Sequence, residues 1–191
     1  MRVIAGSARR LKLKAPDGYD TRPTQDIIKE TLFNMIQNEV NGSRFLDIFA
    51  GSGQIGIEAL SRGALEAVFI EKNSKAAGLI RENLENTKLS DRGEVMCSDF
   101  MSALSRLDKS RFNKVPPFDI IYLDPPYETD IEKNALVFFK DSSILTDETL
   151  IIIEASLKTD ISYMEDLGYE ITKDKQYKHN RHVFLTRRSK E

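Results

Sequence analysis

From residue 44 onward the chain alternates short apolar runs with stretches of helical period, and that rhythm leaves few folds open. RFLDIF (44–49), EAVFIE (66–71), GEVMCSD (93–99), FDIIYLD (118–124) and TLIIIEAS (149–156) read as strands. QIGIEALSRG (54–63), NSKAAGLIRENLENTK (73–88), residues 99–107 and IEKNALVFFKD (131–141) read as the helices between them. Strands separated by helices in this way build a parallel sheet covered on both faces, since each helix must carry the chain back over the sheet. The tail departs from the rhythm. After a short helix over 160–167, GYEITKDKQY (168–177) and RHVFLTRR (181–188) flank a short polar stretch and predict a hairpin. The expectation is an α/β fold with a seven-stranded, mostly parallel sheet and its last strand inserted antiparallel. In such sheets ligands bind beyond the carboxyl ends of the strands, near a topological switch point. Glu71, Asp99 and Asp124 stand at those ends, and Asp47 lies just inside the end of the first core strand.

The segment before the sheet is smaller. Val3 and Ile4, then Leu11 and Leu13, flank GSARR and predict a β-hairpin with Gly6 in its turn. APDGYDTRPT reads as loop. Thr24 suits a helix cap with Asp26 in the first turn. Ile28, Leu32, Met35 and Ile36 recur at helical spacing until Asn41-Gly42.

FLDIFAGSGQIG places Gly51, Gly53 and Gly56 in G-x-G-x-x-G spacing between a strand and a helix. Glu71 ends the next strand, where a carboxylate accepts hydrogen bonds from ribose hydroxyls. The pattern fits a dinucleotide, hence an NAD-dependent oxidoreductase. It also fits S-adenosylmethionine, which has ribose and adenine but no phosphate. Two acids favour the second. Asp47 before the loop suits a cationic methionine ammonium and repels a pyrophosphate. Asp99 can accept from an adenine amino group, with Phe100 packing on the ring.

The fourth core strand ends in Asp124-Pro125-Pro126-Tyr127. Proline has a fixed φ and no N–H, so the strand stops in a stiff turn. An exocyclic amine on a nucleobase is a poor nucleophile, because its lone pair is delocalised into the ring. A catalyst must hold both N–H bonds so that the lone pair turns toward a methyl donor. Asp124 can accept one N–H and the backbone carbonyl of Pro125 the other, the prolines fixing their relation in advance. Tyr127 offers a face for a base removed from its stack.

Charge adds a partner class. The net charge is −2, yet residues 1–22 carry +4 and residues 173–191 carry +5, leaving −11 for the other 150. Two basic ends around an acidic middle suit a polyanion if the ends meet in space. No run approaches the roughly 20 apolar residues of a membrane span, and MRVIAGSARRLKLK lacks the apolar core of a secretory signal. With one cysteine there is no disulfide framework, and a cytoplasmic location is expected. Cys97, in an apolar strand, reads as packed rather than reactive. His179 and His182 lack metal-ligand spacing, so no metal is expected; they read as exposed or as part of the basic patch. Phe118 and Tyr122 read as core.

RVIAGSARRLKL, TRPT, ETLFNMI, FLDIFAGSGQIGIEALSRGA, FIEKN and YLDPPY together resemble the RsmD family of small-subunit ribosomal RNA guanine-N2 methyltransferases. The resemblance covers most of the chain and is densest over residues 1–127. It implies a Rossmann-like class I methyltransferase fold and methyl transfer from S-adenosylmethionine to one guanine N2 in 16S rRNA. It gives the cofactor role to Asp47, Ala50, Gly51, Ser52, Gly53, Glu71, Asp99 and Phe100, and the catalytic role to Asp124, Pro125 and Tyr127. Arg2, Arg9, Arg10 and Lys12 of an N-terminal hairpin extension (1–22) would contact RNA, with Arg22 and Thr24 near the active-site mouth, ahead of a methyltransferase domain over 23–191. The substrate would be RNA within a partly assembled small subunit, and the enzyme a monomer. The chain departs from the family where a glycine is expected after the last hairpin's aromatic; Lys178-His179-Asn180 follows Tyr177 instead. Three rivals stand beside this reading: an adenine-N6 methyltransferase of DNA or RNA, an NAD-dependent oxidoreductase, and a non-catalytic RNA-binding assembly factor.

Overall fold

The structure is a computed structural model that describes residues 1–15, 23–110, 116–126 and 129–188, with backbone alone at 23–25, 109 and 110. Helices α1 (Pro23–Met35) and α2 (Gln37–Val40) precede β1 (Arg44–Ile48), α3 (Gln54–Ser61), β2 (Glu66–Glu71), α4 (Ser74–Thr87) and β3 (Gly93–Cys97). Then come α5 (Phe100–Ser110), β4 (Phe118–Leu123), α6 (Ile131–Asp141), β5 (Leu145–Ser156), α7 (Tyr163–Asp166), β6 (Tyr169–Gln176) and β7 (Asn180–Arg187). The strands form a seven-stranded sheet in the order β3-β2-β1-β4-β5-β7-β6. The chain divides into two compact units, Met1–Phe100 and Met101–Glu191.

In the first unit β1, β2 and β3 pair in parallel. All five residues of β1 are buried, so both faces of the strand are covered and Phe45, Leu46 and Ile48 run together without alternation. Phe45, Leu46, Ile48, Phe69, Ile57 and Leu60 are fully buried and form its core. Helix α3 is buried along Ile55–Ser61. Helix α4 begins at Asn73, whose side chain accepts the N–H groups of Lys75 and Ala76, two donors that a helix start leaves orphaned.

In the second unit β4 and β5 are parallel, β7 is antiparallel to β5, and β6 is antiparallel to β7. Ile120, Ile121, Ile151, Ile152, Ile153, Val183 and Leu185 fill the core. Buried Tyr169 satisfies its hydroxyl on the Leu136 carbonyl of α6 at 2.6 Å. Strand β5 starts four residues earlier than its apolar run, because Leu145 pairs with Phe118 before the register shifts.

The predicted N-terminal hairpin is present only in outline. One antiparallel bridge joins Arg2 and Lys12, and Val3 and Leu13 donate to the carbonyls of Leu11 and Met1. What holds this segment is the first unit's helices. Glu58 of α3, wholly buried, accepts the N–H groups of Ile4 at 2.8 Å and Ala5 at 3.0 Å. Ser61 accepts from Ala8 and donates to the Ala5 carbonyl. Lys29 of α1 donates to the Arg2 carbonyl. Gly6 sits so close to α3 that a Cβ there would lie 1.8 Å from the Ser61 carbonyl oxygen, and its φ is +83°.

Candidate active site

At the end of β1 the backbone turns sharply. Phe49 takes φ 67°, a conformation costly for a bulky side chain and found mostly where function requires it. Gly53 (φ 76°) donates to the Ala50 carbonyl at 2.7 Å and starts α3. The turn aims loop backbone toward the carboxyl end of the strands, as G-x-G spacing predicts.

Two carboxylates tie this loop down. Asp47, only 2% exposed, accepts the Gly56 N–H at 2.9 Å. Burial pushes its carboxyl up to about 7; the Gly56 hydrogen bond pulls the other way, and the nearby Glu71 charge raises it further. Glu71 accepts the Gly51 N–H at 2.9 Å on one oxygen and the Asn73 N–H at 2.7 Å on the other. Each oxygen keeps acceptor capacity for a diol. Asp99 is exposed, and the Phe100 ring lies 5.2 Å from that of Phe49. Ala50 and Ser52 are buried. Asn83 donates to the Ser52 carbonyl at 3.0 Å and exchanges two hydrogen bonds with the Lys14 backbone, so the loop is pinned to the N-terminal segment.

These residues fit a cationic nucleoside. A Cβ on Gly51 would meet nothing within 4 Å, so the loop faces open space. No Lys or Arg occurs between Phe45 and Ser61, while Asp47 and Glu71 both do their work on the loop. A pyrophosphate would meet two acids and no counter-charge; a sulfonium and an ammonium would meet the opposite.

In the second unit β4 delivers Asp124 exposed, Pro125 buried and Pro126 exposed. The Pro126 carbonyl accepts the Thr129 hydroxyl at 2.7 Å. Tyr127 and Arg22 lie outside the described residues, as does the side chain of Thr24. Arg9, Arg10 and Lys12 are exposed, and Arg2 pairs with Asp26 at 3.1 Å.

Two expectations are corrected. Cys97 is exposed, because it ends β3 rather than lying within the packed run. His182 is 1% exposed, since β7 is an inner strand of the sheet; His179, in the turn, is exposed. His182 places Nε2 3.3 Å from Glu154 and Nδ1 3.2 Å from the Tyr177 hydroxyl. Glu154 also accepts from Tyr122 at 2.9 Å and from Asn180. Burial alone would raise the Glu154 carboxyl, but His182, Asn180 and Tyr122 outweigh it and hold the group well below the usual range. Sequence reasoning missed Glu58, Asn83 and Glu154. A lone carboxylate inside the apolar runs IGIEAL and LIIIEAS was the available signal. Among the described residues no three metal-ligating side chains come together.

The chain matches the family described as conserved hypothetical protein 95 over residues 1–186. It is 40% identical to YlbH of Bacillus subtilis over 154 residues, 81% of this chain and 82% of that one. It is 35% identical over 158 residues to ribosomal RNA small subunit methyltransferase D of Escherichia coli, 83% of this chain and 76% of that one. The solved structure of Escherichia coli yhhF superposes with a TM-score of 0.82 at 29% identity, covering 100% of this chain and 99% of that one.

Proposed function

The chain belongs to the conserved hypothetical protein 95 family, the RsmD family, and from that membership we propose that it methylates the N2 amine of one guanine in small-subunit ribosomal RNA. It is an S-adenosylmethionine-dependent rRNA methyltransferase of class I fold. S-adenosylmethionine, when bound, supplies an electrophilic methyl carbon on a sulfonium. Glu71 accepts from the ribose hydroxyls, already oriented by the Gly51 and Asn73 N–H groups. Asp47 would hold the methionine ammonium, that cation drawing its buried carboxyl, raised to about 7 in the ligand-free protein, toward the ionised form. Asp99 accepts from the adenine amine, and Phe100 with Phe49 forms the apolar wall beside it.

Asp124 accepts one N–H of the target amine and the Pro125 carbonyl the other. The lone pair is thereby turned out of the ring and toward the methyl carbon. With the donor bound, the N–C bond would form as its S–C bond breaks, and Asp124 or water would take the proton that the methylated amine sheds. Tyr127 stacks on the extruded base. Turnover rests on orientation rather than on a strong base. Arg2, Arg9, Arg10, Lys12 and Arg22 contact phosphates, and the substrate is RNA in a partly assembled small subunit. The enzyme acts in the cytoplasm as a monomer; among the described residues no helix is long and apolar enough to cross a membrane.

The observation that carries the amine assignment is the elbow. Strand β4 ends in the buried run Ile120–Leu123, after which Asp124 is exposed and Pro125 is buried. Asp124→Ala is expected to abolish methyl transfer while affinity for S-adenosylhomocysteine stays within a few-fold. Mass mapping of ribosomal RNA from a strain lacking the gene should show one missing methyl group on a guanine. A complete methylation pattern, or a loss on adenine, would overturn the reading.

A further inference from the structure

The β6–β7 hairpin has no part in the roles given so far, and its place in the second unit is informative. The β4–β5 register ends at Leu123↔Ile153. One residue further along lie Asp124 on one strand and Glu154 on the other. Glu154 pairs with His182, and Ser156 pairs with Asn180. The turn joining β6 to β7 therefore lies at the carboxyl end of β4 and β5, the end that presents Asp124. Two to three strand spacings of about 4.8 Å set it roughly 10–15 Å to the side.

The turn's chemistry is one-sided. Residues 175–182 read KQYKHNRH, two lysines, an arginine and two histidines with no acid. Lys175, Lys178 and His179 are exposed. Asp174, the acid just before this run, is engaged by Arg181 at 3.6 Å and by Gln176, and Glu154 of β5 by His182 and Asn180. Tyr177 supplies an aromatic ring among these cations, with Lys175 Nζ 5.8 Å from its centroid. Cations interleaved with an aromatic ring are the composition that tracks single-stranded nucleic acid.

The turn is also braced. Tyr177 donates its N–H to the Asn180 carbonyl at 2.8 Å, closing the turn. The Tyr177 hydroxyl meets His182, His182 meets Glu154, and Glu154 accepts from Tyr122, which stands two residues before Asp124. Asn180 donates to the same carboxylate. A continuous, partly buried chain of hydrogen bonds thus runs from the strand carrying Asp124 to the base of the turn. Such a satisfied network holds its ends in fixed relation.

We propose that the β6–β7 turn, through Lys175, Lys178 and His179, is a phosphate-contacting surface that grips the RNA strand a few nucleotides from the target base, held in register with Asp124 by the Tyr177–His182–Glu154–Tyr122 brace. This rests on the reading of the chain as an RNA methyltransferase. RNA fits better than an acidic protein patch, because the turn opens at the end of the sheet where the target base must be presented.

The test uses the double variant Lys175→Glu/Lys178→Glu, with Lys140→Glu on α6 as a charge control. Binding of protein-free 16S rRNA is followed against salt, and methyl transfer is measured on small-subunit particles from a strain lacking the gene. The double variant is expected to weaken RNA binding at least tenfold and to reduce the log K against log salt slope by about 2, the loss of two phosphate contacts. Its KM should rise while kcat at saturating substrate stays within twofold, with the melting temperature unchanged. An unchanged salt slope would overturn the proposal, as would a loss confined to assembled particles, which would mean a protein contact. A fall in kcat at wild-type affinity would also overturn it. If the wild-type enzyme itself transfers no methyl group, the functional reading fails, while the salt slope still reports whether the turn touches RNA.

Discussion

Asp47 shows how one side chain can be legible in type and not in state. Its position before a glycine loop marked it as a cofactor residue, but only the fold shows it 2% exposed and receiving the Gly56 N–H. With the folded carboxyl raised to about 7 from a usual 3.8, the folded protein binds more protons than the unfolded chain between those values. Stability of the cofactor-free protein therefore falls as pH rises through that window. A cationic ligand above the carboxylate favours the ionised form, so affinity for S-adenosylhomocysteine should rise several-fold from pH 6 to pH 8. In Asp47→Asn that rise should vanish, and titration calorimetry across the range is the check. A flat wild-type profile would separate Asp47 from the ligand. Asp99 and Asp124, by contrast, are exposed just beyond the ends of β3 and β4, where the sequence set them.

The N-terminal segment is the element on which sequence and structure differ most. Alternation over Val3, Ile4, Leu11 and Leu13 predicted a hairpin, but pairing reduces to one bridge. Its order comes instead from Glu58, Ser61, Asn83 and Lys29, spread over three helices. Glu58 is wholly buried between two backbone N–H groups, Arg62 at 2.8 Å and Lys29 at 3.6 Å. Burial lowers the Lys29 pKa and Glu58 works against that shift. Replacing Glu58 by Gln leaves a buried ammonium without its counter-charge, which is expected to cost about 3–5 kcal/mol in urea unfolding. Cleavage within residues 1–15 in limited proteolysis should quicken with it. A loss under about 1 kcal/mol, within the range of an ordinary hydrogen bond, would show that the clamp is not what holds the segment.

At the scale of the whole molecule, the charge split now has an address at each end. Arg9, Arg10 and Lys12 are exposed on a clamped segment, and Lys175, Lys178 and His179 on a braced turn. Neither end is a solvated tail in the described residues. Arg9→Glu/Arg10→Glu is therefore expected to weaken 16S rRNA binding and flatten its salt dependence by about two counter-ions. An unchanged slope would remove the N-terminal segment from the RNA interface. Much of this architecture was legible. Strand–helix alternation gave the parallel sheet, and the polar break after Tyr177 gave the terminal hairpin, because backbone hydrogen bonding and apolar periodicity are local properties. The positions of the glycine loop, Glu71 and the Asp-Pro-Pro elbow at strand ends were legible for the same reason: where a strand stops is set by neighbours a few residues away. Burial was not, since it depends on which strand lies inside. Cys97 and His182 sit in similar-looking segments, yet one ends a strand in solvent and the other packs on an inner strand against Glu154. The chain alone determined its strand–helix order and the spacing of its glycines, acids and prolines. The tertiary structure decided which acids are buried, which cations reach solvent and what braces the turn, because those depend on contacts between distant elements, such as Glu154 with Tyr122 and His182, 32 and 28 positions away, which no local pattern encodes.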